Sequence, residues 1–407
     1  MRATQGKWLG KRALQALLVL WGLVTLVFVL FYALPADSAQ MTLGQRSDPE
    51  TLAQIQKELG LDLPWGWRYL HFLNDLSPLS VYRAGADAAS GADAASGADA
   101  ASGAGAASGA DAASGAVAAS GADAASGAGR VTGPAASAWW SWRPGGVQGN
   151  WVVCLKGPYL GRSYQSRREV GVMLQEAFGG TLVLALTAML LATVLGIGLG
   201  TWAAFTHKPW LEGLIVGGSM VGVAAPSFLV SLVLAYVFGY LLSPWTGLHM
   251  SGHLWELDAT GGPRLALQNL ILPAVTLGLR PLSVVVQLTR DSITEVMKQD
   301  YIRTARAKGL SPWLVWWRHT LPNAMNPVVT ALSGWLSSLL AGAVFVEYVF
   351  GWKGMGKLTV DALMVFDLPV VMGVVLCSGT LFVLVNVLVD WLYTVLDPRV
   401  ALNERQA

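Results

Sequence analysis

The sequence predicts an all-α membrane protein of six transmembrane helices with both termini in the cytoplasm. Its apolar residues gather into runs rather than amphipathic periods, and a run of about 18 residues is enough to span a bilayer. Charged residues make up only 13% of the 407, where a soluble domain carries about a quarter, and mean hydropathy is +0.49. Lysine and arginine are denser on one side of the topology that these runs define.

The first span is Ala13–Leu34, a mostly apolar run of 22 residues that exceeds the usual core of a signal peptide. Cleavage after Ala33 or Ala39 is the alternative reading. The second span runs Thr181–Phe205 and the third Gly213–Leu242, where Pro226 after Ala224-Ala225 predicts a kink near the centre. The fourth lies near Leu265–Leu288, interrupted by Arg280 and Pro281, and Pro263, Pro273 and Pro281 are expected to bend it. The fifth is Pro327–Val346 and the sixth Leu368–Val389. With the N-terminus inside, the cytoplasmic segments 1–12, 206–212, 289–326 and 390–407 hold 13 Lys/Arg in 75 residues. The outer segments 35–180, 243–264 and 347–367 spread 13 over about 190 residues. That density ratio sets the orientation.

Three regions follow: residues 1–34 with the first helix, an outer loop 35–180, and a core 181–407 with a cytoplasmic loop 290–326. Within the outer loop, residues 85–126 are seven tandem hexads of Gly-Ala-Asp-Ala-Ala-Ser type, trailing off by residue 129. A hexapeptide β-helix needs an aliphatic residue in each turn to fill its coil, and only Val117 is available here. A glycine every six residues weakens helix by about 1 kcal/mol each. With nothing to bury, the stretch reads as a disordered, weakly acidic spacer. Thr51–Gly60 reads as a short helix capped by Asp48 or Thr51. Trp65, Trp67, Tyr69 and Phe72 form an aromatic cluster that suits either a membrane surface or the docking face of a soluble partner.

The densest local signal lies in the loop 290–326, where five Lys/Arg fall between Lys298 and Arg318. Asp291–Lys308 has helical composition and ends at Gly309, a natural residue just past a helix end. Ser311-Pro312 then reads as the cap and first position of a second short helix, Trp313–Thr320, closed by Pro322 and Pro327 before the fifth span. On charge and periodicity alone this hairpin is equally a solvated positive-inside loop with tryptophans in the headgroup layer.

Its spacing resembles the cytoplasmic EAA loop of ABC-importer permeases. The first three motif positions fall on Arg303, Thr304 and Ala305, the glycine on Gly309 and the Leu-Pro on Leu321-Pro322. Arg303 replaces the acidic first residue of the general motif, a departure associated with the dipeptide/oligopeptide/nickel branch. Further elements resemble that branch in order: Leu34-Pro35-Ala36-Asp37-Ser38-Ala39, Leu59-Gly60-Leu61-Asp62-Leu63-Pro64, and Leu160-Gly161-Arg162-Ser163-Tyr164. Phe350-Gly351-Trp352-Lys353-Gly354-Met355-Gly356 and the ending Asp390–Arg399 complete the series. The first lacks the branch's Gly and Pro, Pro158-Tyr159 replace its usual Gly-Asp, and about residues 77–150 are an insertion.

The resemblance implies a type I ABC-importer permease fold in the bacterial inner membrane, and a multi-pass subunit forming half of a pathway for di- or oligopeptides. It implies a paralogous permease partner, cytoplasmic ABC ATPase subunits and an external substrate-binding protein, with membrane lipid around the spans and no nucleic acid. Arg303, Thr304, Ala305, Arg306, Gly309, Leu321 and Pro322 would couple to the ATPase, which would hold the ATP and Mg²⁺. This chain itself would bind no cofactor and catalyse nothing.

The remaining signals are sparser. Gly351–Lys357 spells seven positions of a phosphate-binding loop, but Leu358 stands where Mg²⁺ binding needs Ser or Thr, and no strand precedes it. Arg280 is either a pathway residue or a helix end that snorkels, and Pro226 suits a moving pathway helix or a structural kink. Glu347 and Asp390 close the fifth and sixth spans. His249 and His253 stand at i, i+4 with too few companions for a metal site, and Cys154 and Cys377 lie at different depths, so no disulfide is expected. Gly196/Gly200, Gly218/Gly222 and Gly334/Ser338/Gly342 allow close helix packing within the subunit or with a partner. A secondary transporter or channel is the alternative class, and it calls for inverted repeats with broken helices and for more buried carboxylates at mid-membrane, neither evident in the sequence. A membrane enzyme would need a His/Asp/Glu constellation inside the spans.

Overall fold

The computed structural model describes residues 2–33, 64–83, 138–142, 151–257, 262–341 and 343–396. The expected helix Thr51–Gly60, the hexad repeat, the elements at 34–39 and 59–63, Gly342 and the final Asp397-Pro398-Arg399 lie outside them. The chain forms two compact units, Ala36–Leu160 and the remainder, Met1–Pro35 with Gly161–Ala407.

The larger unit is helical. Helix α1, Arg2–Ala33, contains an apolar stretch Leu14–Leu30. In the smaller unit, α2 (Trp65–Leu76) starts after Pro64 and carries the aromatic cluster, with Trp65 and Trp67 exposed. A three-stranded antiparallel sheet follows: β1 (Leu79–Arg83), β2 (Ala138–Trp142) and β3 (Trp151–Lys156), in the order β1-β3-β2. Leu79 stands opposite Leu155 and Arg83 opposite Trp151, so the hexad repeat connects two strands that flank a common partner. Strands β1 and β2 fall in the expected insertion of about residues 77–150 and β3 directly follows it, in a chain expected to be all-helical. Alternation of Val, Trp, Tyr and Leu in short runs was the available signal.

Among the described residues three helices are long and apolar enough to cross a membrane: α3 (Val170–Phe205), α7 (Gln268–Val296) and α13, whose apolar part is Leu368–Val389 of Leu368–Leu396. A fourth candidate is a broken pair, α4 (Pro209–Ala224) and α5 (Ser227–Tyr236, continuing as a π-helical turn to Leu241). The two are bent by 109°. Pro226 is therefore a break rather than the expected kink, and a broken helix is present that the sequence does not make evident. Pro226 caps α5 with extended backbone, and α4 has already ended at Ala224. After a short turn α6 (Ser243–Thr246), strands β4 (Trp255–Leu257) and β5 (Pro263–Leu265) pair antiparallel.

Helix α7 runs unbroken through Pro273, Arg280 and Pro281, against the expectation of an interrupted fourth span. Both prolines are buried, and hydroxyls of Thr276 and Ser283 bond the Leu272 and Leu279 carbonyls in the same stretch. Those bonds do not reach the carbonyls of Asn269 and Leu277, which the prolines leave without an amide, so packing against neighbouring helices is what holds α7 together there. Helix α7 is the centre of the unit: 61% of its apolar window is buried, against 28% for α3 and 33% for α13. It lies close against α3 because Gly196 and Gly200 leave room; a methyl at Gly196 would stand 2.6 Å from Val285 Cγ1. That pair of glycines thus serves packing within the subunit. Gly334 and Ser338, by contrast, are exposed.

The basic segment departs from the expected helix Asp291–Lys308. Helix α7 ends at Val296, and α8 (Asp300–Ala307) begins after a turn. Next come α9 (Pro312–Leu314), a π-helical segment Val315–Thr320, and α10 (Leu321–Ala341). Pro322 and Pro327 do not close the second short helix. Pro322 stands where the π-helical segment passes without a break into α10, and α10 continues through Pro327. The fifth span ends at Ala341 instead of Val346, and α11 (Val344–Val349) and α12 (Met355–Met364) precede α13.

Candidate functional site

Helix α8 is short, basic on its outer face and anchored at both ends. Its Ile302 and Ala305 are buried against Val315, with Val296, Met297 and Leu310 around them. Gly309 has φ +78°, a left-handed conformation that favours glycine. The Leu310 amide donates to Ala305 O (3.4 Å) and the Gly309 amide to Arg306 O (2.9 Å), the paired bonds of a Schellman cap. Leu310 packs back on Ala305 to complete it. Two residues on, the Leu314 amide donates to Ser311 Oγ (3.4 Å), which starts the next turn with Pro312 at its first position.

This frame sorts the coupling residues inferred from sequence into two groups. Arg303, Thr304 and Arg306 are exposed on α8, as is Lys308 just past its end, which was not among them. Arg303 reaches only the exposed Asp300 (3.5 Å), Thr304 Oγ1 donates to Asp300 O, and one Arg306 nitrogen lies 3.5 Å from Met297 Sδ. Ala305 is 6% exposed and belongs to the hairpin's interior, so it holds α8 in place rather than offering a contact. Leu321 is half-buried and Pro322 exposed, both at the start of α10. Beside them Trp313, Trp316 and Trp317 form a packed cluster, with Trp313–Trp316 centroids 4.7 Å apart.

A second constellation escaped the sequence reading. Glu347, on α11, is fully buried, and its carboxylate accepts from Thr181 Oγ1 (2.7 Å) and from the amides of Gly356 (2.7 Å) and Lys357 (3.2 Å). Those amides open α12, where the helix dipole favours a negative charge. Thr181 Oγ1 in turn accepts from the Met355 amide, and the Trp352 indole donates to Gly180 O (2.9 Å). The stretch that spells most of a phosphate-binding loop is thus wrapped around an internal carboxylate. Gly354 has no room for a side chain, because a methyl there would overlap the Glu347 carboxylate. The signal available beforehand was an acid seven residues before a Gly-rich helix start.

Nearby, Ser163 Oγ donates to Asp367, and the Tyr164 amide donates to its other oxygen (3.0 Å). These contacts tie the segment before α3 to the turn before α13. His249 Nδ1 lies 3.1 Å from Asn269 Oδ1, while Asn269 Nδ2 donates to the His253 carbonyl. Among the described residues no cluster of three metal-ligating side chains occurs.

Arg280 lies inside α7, so the helix-end reading fails. It is exposed, and no carboxylate among the described residues pairs with it. Farther along the helix Arg290 Nε donates to Glu212 Oε1 (2.8 Å) and Nη1 to Asp291 (2.5 Å), joining α7 to the start of α4. A cavity of 590 Å³ opens there, lined by Glu212, Gly213, Met220, Gln287, Arg290 and Asp291 among others.

Residues 196–402 match the family described as "binding-protein-dependent transport system inner membrane component", and residues 6–89 match that family's N-terminal region. A putative peptide transport system permease protein of Brucella abortus is 31% identical over 398 residues, covering 96% of this chain and 97% of that protein. The dipeptide transport system permease protein DppB of Escherichia coli K12 is 32% identical, covering 93% and 94%. A chain of the methionine ABC transporter MetNI, in an inward-facing conformation, overlays with a TM-score of 0.42 at 15% identity, over 56% of this chain and 97% of that one.

Proposed function

This chain belongs to the family of binding-protein-dependent transport system inner membrane components, and on that premise we propose that it is the permease subunit of an ATP-driven peptide importer. It is a multi-pass protein of the bacterial inner membrane that forms half of the pathway, beside a similar second permease. Six spans cross the membrane: α1, α3, the broken pair α4–α5, α7, α10 and α13. Both termini lie inside, and the loop 35–180 lies outside with the external binding protein. The peptide substrate follows from the relatives, which are named for peptide and dipeptide transport.

The observation that carries the coupling half of this reading is the exposed basic face of α8 on a frame fixed at both ends. A short rigid helix joined to two long ones transmits displacement as a rigid body. Differential contacts with ATP-bound and ATP-free ATPase subunits would then bias two states of the pathway. Arg303, Thr304 and Arg306 make those contacts, while Ala305, Gly309 and Leu321-Pro322 hold the geometry. The break at Pro226 supplies a joint in a pathway helix.

The 109° break is also a feature of the kind found in secondary transporters. Those carry broken helices in corresponding positions of two repeated halves. Uptake of a labelled dipeptide into proteoliposomes separates the two classes. The importer reading requires ATP, an ATPase subunit and a binding protein together, and uptake without ATP would overturn it.

A further inference from the structure

Helix α7 is the most amphipathic of the long apolar helices. At 3.6 residues per turn, Gln287, Asp291 and Thr294 all fall within about 40° of Arg280 around the axis. Between Arg280 and Thr294 the half-buried Val284 is the one apolar residue on that face. The opposite side carries Gly278, Val285, Val286, Thr289 and Ile293, all buried, and it lies against α3 and its neighbours. A polar row on the outward face of the most buried span has to meet water, a partner subunit or lipid. Lipid is the costliest of the three.

Arg280 is 12 residues from Gln268 and 8 from Leu288, the inner end of the fourth span, or about 18 and 12 Å along the axis. A guanidinium so far from either end cannot snorkel as residues near the ends do. Within this subunit it has no acidic partner among the described residues. The next polar residue on its face, Gln287, lies about 10 Å farther along the axis. Gln287 and Asp291 both line the 590 Å³ cavity, so the face of Arg280 leads past Val284 into open space. That cavity holds two carboxylates, Glu212 and Asp291, for the single guanidinium of Arg290. A carboxylate leaving Arg280 therefore meets no spare cation at the inner end of the route.

We propose that Arg280 is a transient binding site for the substrate's free carboxylate, at the head of a polar track that Gln287 and Asp291 carry into the inner cavity. The site rests on the peptide-importer reading and deepens it. The guanidinium holds the peptide's C-terminal end at mid-membrane, and the net negative inner cavity favours its onward release. Arginine suits this task because it stays charged when desolvated and grips a carboxylate with two parallel hydrogen bonds.

The test uses the complete transporter in proteoliposomes, with Cys154 and Cys377 replaced by Ser and Arg280→Cys added. The same cysteine-free chain retaining Arg280 is the control. An aqueous cationic thiosulfonate, the aminoethyl reagent, should label position 280 and raise dialanine uptake at least fivefold. The neutral methyl reagent should label without restoring uptake. Excess dialanine should slow labelling at least threefold, and its C-terminal amide should not. No reaction with the aqueous cation would put Arg280 against lipid or a partner subunit and overturn the proposal. Equal restoration by both reagents, or equal protection by acid and amide, would overturn it as well. If Arg280→Cys fails to assemble, Arg280→Lys should keep uptake within threefold while Arg280→Gln loses at least tenfold, and unchanged uptake in Arg280→Gln sinks the idea. Should the unaltered chain show no ATP- and binding-protein-dependent uptake, the importer reading has failed rather than the site.

Discussion

Residues 344–358 and 299–322 are both short helical turns punctuated by glycine, and they dispose of their polar groups in opposite ways. Around Glu347 every donor is used internally: the Thr181 hydroxyl, two α12 amides and the Trp352 indole all find buried acceptors. Around α8 the backbone is closed by the Gly309 cap, yet Arg303, Arg306 and Lys308 stay exposed. The first segment has used its chemistry to hold a fold. The second has used its chemistry to hold a shape and kept its charges for something else. Glycine-rich spelling alone does not distinguish scaffold from interface, whereas the fate of the hydrogen bonds does.

The sharpest way to break that contrast is Glu347→Ala. It strips the acceptor from three buried donors, each worth about 1–3 kcal/mol when orphaned. The purified subunit should lose folded yield or melt far lower, and a variant with native thermal stability would show the carboxylate to be dispensable. Gly354→Ala comes next, because its methyl would overlap the same carboxylate, and overpacking of this kind costs about 1–3 kcal/mol. A lowered melting midpoint with the subunit still inserted is the expected result.

On the basic hairpin the order of effects reverses between stability and coupling. Gly309→Ala forces a side chain into the left-handed region at about 1–2 kcal/mol, and it should impair ATP-driven uptake more than it lowers the melting point. Arg303→Ala should change stability by less than about 0.5 kcal/mol, since its only ion pair is exposed. It should still reduce ATPase retention on purification. If Arg303→Ala instead destabilised the isolated subunit as Glu347→Ala does, the division between scaffold and interface would collapse.

Much of this was legible in the sequence, for identifiable reasons. Apolar runs locate α3, α7 and α13 because hydrocarbon tolerates no long polar segment. Gly309 and Ser311-Pro312 mark the turn after α8 because only a few residues suit those backbone angles. Two kinds of feature were hidden. Pro273 and Pro281 look like interruptions, but both are buried among packed neighbours and α7 continues. Pro226 looks like a kink, but α4 and α5 separate there by 109°. A proline's consequence depends on what surrounds its helix, and local spelling does not carry that. The Glu347 cradle was hidden because Thr181 contributes from 166 residues away. Ala305 was read as a contact because the motif includes it, although only the fold reveals that it faces Ile302 and Val315.

The claim at the centre is that α8 docks an ATPase subunit through its exposed cations. Co-purification of the ATPase with the Arg303→Glu/Arg306→Glu double variant, assembled with its partner permease, tests it most directly. The account predicts that the ATPase is lost while the variant keeps the melting midpoint of the unaltered subunit. An ATPase retained at the normal ratio would contradict it.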